Sequence, residues 1–241
     1  MLRLALASLL LTGCAQKSEL DAANERIKAL EEKVATMEKA PAGKSAAPTA
    51  SSEEEDAATK LMGEVQEAMK ANDYATAKTK LAELGEKYAG TRAGKAGARM
   101  ATEVNLVGSD AAALDVDKWF QGKASLDGKT TLLVFWEVWC PHCKKEMPKL
   151  AEEEGKYKDK GVQVVGVTKV TKSATDEKVE EFIKEHKIKY PMAKEKDASL
   201  SKAYAVSGIP AAALVKDGKV IWRGHPARLD DATLDKLLAG G

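Results

Sequence analysis

The 241-residue sequence is poor in aromatic residues, at 5%, while 31% of it is charged, a balance that points to solvated helices around a modest core. It has no excess of either charge, with 38 Lys and Arg against 37 Asp and Glu, so no basic patch dominates and nucleic acid is a poor candidate partner. Beyond the first residues no apolar run is long enough to span a bilayer. Cysteine is scarce: of three, two are separated only by Pro141 and His142, which excludes a structural disulfide framework and leaves redox or metal chemistry. Gly128-Lys129-Thr130 echoes a phosphate loop, but Lys123 stands where the required glycine would be, so no nucleotide site is expected. The length suits one ordinary catalytic domain with smaller pieces attached.

The first such piece is an address. Arg3 precedes an apolar Leu/Ala stretch that is too short for a transmembrane helix and reads as a signal peptide over residues 1–13. Leu11-Thr12-Gly13-Cys14 resembles a bacterial lipobox, which implies lipidation at Cys14 and a membrane anchor; an ordinary signal peptide with an incidental cysteine is the alternative. Ala15 resembles the residue that directs sorting to the outer membrane, so the expected location is the envelope, facing the periplasm. Outside the cytosol, partners form disulfides.

In residues 14–39, Leu20, Ile27 and Val34 recur every seven, with Ala23, Leu30 and Met37 three places later. This heptad predicts a short coiled-coil stalk and a homo-oligomer through residues 18–39, with a lone amphipathic helix as the alternative. Residues 40–58, rich in Ala, Pro, Ser and Gly and ending in Glu53-Glu54-Glu55-Asp56, read as a flexible linker. Residues 59–108 carry helical stripes (Leu61, Val65, Met69; then Tyr74, Ala77, Leu81, Leu84, Tyr88; then Ala96, Met100, Val104) broken at Asn72-Asp73 and Gly90-Thr91. The second stripe resembles a tetratricopeptide hairpin. One repeat cannot stand alone, so it is expected to pack on the catalytic domain, another copy or a partner.

Residues 109–241 are expected to form the main domain. Thr130 to Val138 reads as a buried central strand, entered through the Asp127-Gly128 turn, and Lys144 to Lys158 as a helix. Between them stands Trp139-Cys140-Pro141-His142-Cys143, with Pro141 suited to a first helical turn. Cys140 is then at a helix N-terminus, where a thiolate is stabilised, and Cys143 is within reach to resolve a mixed disulfide. Haem attachment requires His after the second cysteine, where Lys144 stands; structural zinc normally needs four ligands. A copper(I)-handling dithiolate stays open.

Phe135 to Pro148 is similar to the active-site segment of TlpA-like thioredoxin-fold proteins, Pro148 matching the proline that kinks their active-site helix. Val206-Ser207-Gly208-Ile209-Pro210 resembles the segment carrying their cis-proline, with Ile209 and Pro210 implied as the substrate-binding backbone. The resemblance spans Asp110 to Leu238 and implies an α/β thioredoxin-like fold, a central mixed sheet flanked by helices, with no cofactor. A strand at Val162–Thr168, a helix at Thr175–His186 and an extended Ile188–Met192 fill a segment that TlpA-like proteins share with peroxiredoxins; the cysteine pair at the helix start fits disulfide exchange instead. Lys216-Asp217-Gly218-Lys219-Val220 is a hairpin turn.

The resemblance also assigns tuning residues. His142, in the Pro-His dipeptide of DsbA, implies an oxidant or isomerase; Glu146 matches a glutamate that takes part in proton transfer in TlpA-like reductases. Thioredoxins bury an aspartate where this chain has Val134. Trp139 is expected in the substrate platform. The reading reached is a thiol–disulfide oxidoreductase acting on thiols and disulfides of exported proteins, favoured as a reductant, with Cys140, Cys143 and Glu146 as catalytic residues. An oxidant or isomerase, a copper(I) chaperone and an envelope interaction lipoprotein are the alternatives.

Overall fold

Ser51 opens the first described helix with a capping box: its hydroxyl accepts the Glu54 N–H at 3.2 Å while the Glu54 carboxylate accepts the Ser51 N–H at 2.7 Å. The computed structural model describes Glu25, Lys28 and residues 50–240. Cys14 and most of the heptad segment 18–39 lie outside the described residues. Helix α1 (Ser52–Lys70) begins inside the stretch expected to be a flexible linker over 40–58, so residues 52–58 are corrected from linker to helix. Three consecutive glutamates there face the positive end of the helix dipole, which favours helix over coil.

Asp73 and Thr91 cap the next two helices, α2 (Tyr74–Lys87) and α3 (Arg92–Asn105), at the two breaks expected from sequence. Leu61, Val65, Leu81, Leu84 and Val104 form the shared core of the three. Gly97 admits the close approach of α2: a Cβ there would meet the Leu84 side chain at 2.4 Å. The module packs on the following domain. Lys236 donates to the Ala71 carbonyl at 2.7 Å, and Ser207 to the Glu103 carboxylate at 2.9 Å.

The domain is built on one six-stranded mixed sheet, comprising β1 (Val116–Gln121), β2 (Thr130–Phe135), β3 (Val162–Thr168), β4 (Met192–Glu195), β5 (Ala211–Lys216) and β6 (Lys219–Gly224), in the order β1-β4-β3-β2-β5-β6. β2, β3 and β4 run parallel, while β1, β5 and β6 are antiparallel to their neighbours. The central strands are buried along both faces, as continuous apolar runs require. Helices α4 (Pro141–Asp159), α5 (Asp176–Glu185), α6 (Ser199–Ala203) and α7 (Asp231–Ala239) complete the fold. Two differences from expectation stand out. β1 was not foreseen, and the extended segment expected at 188–192 becomes a strand only at Met192–Glu195. The β5–β6 turn forms at Asp217-Gly218, both with positive φ (50° and 72°), as a tight hairpin demands.

Candidate active site

β2 ends at Phe135, and residues 136–140 lead from its carboxyl end into α4. Cys140 is the N-cap of that helix and Pro141 its first residue, where the absent N–H costs nothing. The Cys140 sulfur accepts the Cys143 backbone N–H at 3.3 Å and lies 3.7 Å from the Ile209 carbonyl oxygen, to which its S–H donates. The Cys140 N–H donates to the Glu137 carbonyl at 3.0 Å, closing the turn. Both cysteines are free thiols, Cys140 4% exposed and Cys143 fully buried.

The Ile209–Pro210 peptide is cis, as the family resemblance implies, and Pro210 is buried beside the start of β5. Cys140, Cys143, Ile209 and Pro210 therefore converge at one end of the sheet. Pro148 stands inside α4, where a proline removes a helical hydrogen bond. Next to it the Tyr190 hydroxyl donates to the Met147 carbonyl at 3.1 Å, tying this turn of the helix to the segment before β4.

The two thiols have different surroundings. Burial pushes the Cys143 thiol well above the ordinary thiol range; its hydrogen bond with Cys140 and the negative charges of Cys140 and Glu137 push the same way, while a backbone hydrogen bond from Glu137 opposes them. Cys143 thus holds its proton through neutral pH. Cys140, by contrast, has a backbone donor aimed at its sulfur at a helix N-terminus, the arrangement an attacking thiolate needs.

The remaining expected site residues are placed as follows. Trp139 is half-buried; its indole N–H donates to the Thr171 hydroxyl at 3.3 Å, and the Lys172 ammonium sits 3.5 Å from the ring centroid. His142 is exposed on the first turn of α4. Glu146 is half-buried one turn beyond Cys143. Val134 is fully buried in the core cluster that also contains both cysteines.

Glu137 was missed by the sequence reading. It is 1% exposed, directly precedes Val138-Trp139-Cys140, and bonds to the loop after β3: Oε2 accepts the Thr171 N–H at 3.3 Å and Oε1 its hydroxyl at 3.1 Å. The available signal was a lone acidic residue inside the apolar run from Leu132 to Trp139.

Residues 107–223 match the model of the AhpC/TSA family. This stretch of the domain is similar to that thioredoxin-like family. A solved thioredoxin-like protein in its oxidised form aligns with a TM-score of 0.50 and 25% identity over 55% of this chain and 97% of that one. The thiol-disulfide oxidoreductase ResA of Bacillus thuringiensis subsp. konkukian (strain 97-27) is 41% identical over 95 residues, 39% of this chain and 53% of that protein. The sporulation thiol-disulfide oxidoreductase A of Bacillus subtilis (strain 168) is 33% identical over 90 residues, 37% of this chain and 54% of its own length. The chain spans about half the length of these curated relatives. The match agrees with the TlpA-like resemblance of the active-site segment.

Proposed function

We propose that this chain is a thiol–disulfide oxidoreductase that reduces disulfides in exported proteins through Cys140 and Cys143. The observation that carries the reading is the asymmetry of the pair: Cys140 caps a helix beside the Ile209 carbonyl, and Cys143 is fully buried behind it. Disulfide exchange uses this division into an attacking and a resolving thiol. The relatives named thiol-disulfide oxidoreductases support the same chemistry.

In the forward direction Cys140 attacks a substrate disulfide, forming a mixed disulfide and releasing one substrate thiolate. Cys143 then attacks the Cys140 sulfur. The intramolecular disulfide forms, the second substrate thiolate leaves, and two electrons have passed from the protein to the substrate. The backbone of Ile209, next to Cys140, borders the place where an extended substrate strand lies. The reductant reading rests on the TlpA-like frame, which extends over the whole domain, whereas the oxidant signal is the single exposed residue His142. Attachment through a lipid on Cys14, a periplasm-facing location and oligomerisation through residues 18–39 complete the proposal from sequence alone.

Turnover of insulin disulfides by the full chain, with dithiothreitol as electron donor, tests it. Cys140→Ala is expected to abolish turnover, and Cys143→Ala to stop after one event with substrate bound covalently to Cys140. An active Cys140→Ala protein would sink the mechanism. Stoichiometric copper(I) binding by the pair without any turnover would favour the chaperone instead.

A further inference from the structure

Cys143 is fully buried when it must lose its proton, so the acceptor has to stand inside the protein. Glu137 has the required placement. It is 1% exposed, its backbone carbonyl accepts the Cys140 N–H at 3.0 Å, and its negative charge raises the proton affinity of the Cys143 thiol. A buried carboxylate is costly unless well paired. Both side-chain hydrogen bonds to Glu137 come from Thr171, a neutral residue. Among the described residues its carboxylate forms no ion pair. A charge kept in that setting, beside a thiol that must ionise, has a use as a group that takes up a proton.

Thr171 extends the arrangement. Its hydroxyl donates to Glu137 and accepts from the Trp139 indole, giving one directed chain from indole to hydroxyl to carboxylate. The same loop bends through positive φ at Val170 (57°) and Lys172 (59°), conformations that non-glycine residues rarely adopt, and they set Thr171 between them. The other titratable groups facing this cluster are Cys140 and Lys172, with Lys144 of α4 and Lys178, Glu181 and Glu185 of α5 lining the groove beyond Trp139.

We propose that Glu137 is the internal proton acceptor for Cys143 in the resolving step, with Thr171 holding its carboxylate in place and joining it to Trp139. The inference rests on the exchange reading above. In the mixed disulfide, the Cys143 S–H passes its proton to the Glu137 carboxylate, which becomes the neutral acid. The freed electron pair on Cys143 attacks the Cys140 sulfur, the Cys140–Cys143 bond forms, and the bond from Cys140 to the substrate sulfur breaks. The departing thiolate takes its proton from solvent. Two electrons leave the cysteine pair and two reach the substrate; re-reduction of the pair returns the Glu137 proton to Cys143.

The test uses the reduced full chain and dithiobis(nitrobenzoate), whose thiolate is released once when Cys140 attacks and again when Cys143 resolves. In Glu137→Gln the second phase at pH 7 is expected to slow relative to the first by about a hundredfold, within the range for a positioned proton acceptor. Its rate should then climb about tenfold per pH unit between roughly pH 6 and 9, as hydroxide replaces the missing base. Thr171→Val removes one donor that holds the carboxylate in place and should slow the second phase at pH 7 by about tenfold relative to the first. Second phases that overlay the unaltered chain at every pH would overturn the proposal. If Glu137→Gln does not fold, an unslowed second phase in Thr171→Val is sufficient to overturn it. Absence of the first phase in the unaltered chain would remove the exchange reading and this inference together; a first phase with an unchanged second would remove only the inference.

Discussion

The Ile209 carbonyl oxygen and the Cys140 sulfur lie 3.7 Å apart, although 69 positions separate the residues in sequence. The contact brings the loop before β5 to the first turn of α4. That loop is held from behind by the helical module. Ser207 donates to Glu103 of α3, and Glu103 lies 3.9 Å from the guanidinium of Arg223 on β6. The module thus braces the loop that borders the cysteines.

Arg223 is the centre of that brace. Only 3% exposed, it donates to the carbonyls of Tyr204 (3.0 Å), Gly224 (3.2 Å), Ala205 (3.4 Å) and Ala212 (3.4 Å). Arg223→Ala should cost about 3–5 kcal/mol, because the acceptors and Glu103 lose their buried partner. Glu103→Gln, at a half-buried position, should cost about 1 kcal/mol. Urea denaturation of each variant checks both values. Equal losses would show that the pair does not carry the join.

Gly94→Ala should destabilise the helical module by about 2 kcal/mol or more. A Cβ at this position would come within 1.9 Å of the Tyr88 carbonyl oxygen, which already accepts the Thr91 N–H and hydroxyl. Relief requires moving the α2–α3 turn. Circular dichroism melting reads the loss, and an unchanged melting temperature would contradict the packing described here.

The Cys143 thiol supplies a pH signature of stability. Its folded-state affinity for a proton is raised above the unfolded value, so above the ordinary thiol value of about 8.5 the unfolded chain releases a proton that the folded chain keeps. Stability of the reduced protein should therefore be fully present below that pH and fall above it. The slope approaches about 1.4 kcal/mol per pH unit for one proton. Between about pH 8.5 and 10 the tyrosines do not yet contribute. Urea midpoints across that window should decline in the reduced chain and flatten in Cys143→Ala; parallel declines would exclude Cys143 as the source.

The sequence revealed the parts of this architecture whose physics is local. β3 occupies Val162–Thr168 as expected, because a strand buried on both faces is written as an uninterrupted apolar run. The breaks at Asp73 and Thr91 were legible because caps are side-chain chemistry. α1 was not fully legible. The acidic run after Ser51 has the composition of a linker, yet Ser51 and Glu54 at a spacing of three form the capping box that starts the helix. β1 escaped because it is an irregular edge strand, mostly half-buried, whose alignment comes from β4 more than seventy positions away. The cysteine pair was readable from its spacing at a strand-to-helix junction, and the cis-proline through family resemblance. Glu137 was not, since residue type predicts exposure for a glutamate and only the tertiary structure shows it buried against Thr171.

Equilibrium redox titration of the full chain, with peptide mapping to identify the bonded cysteines, tests the central claim most directly. The account predicts one two-electron transition joining Cys140 to Cys143, with a potential near the thioredoxin value of about −270 mV. A potential near the DsbA value of about −120 mV would contradict the reductant reading. Failure of the two cysteines to form a disulfide with each other would contradict the exchange mechanism itself.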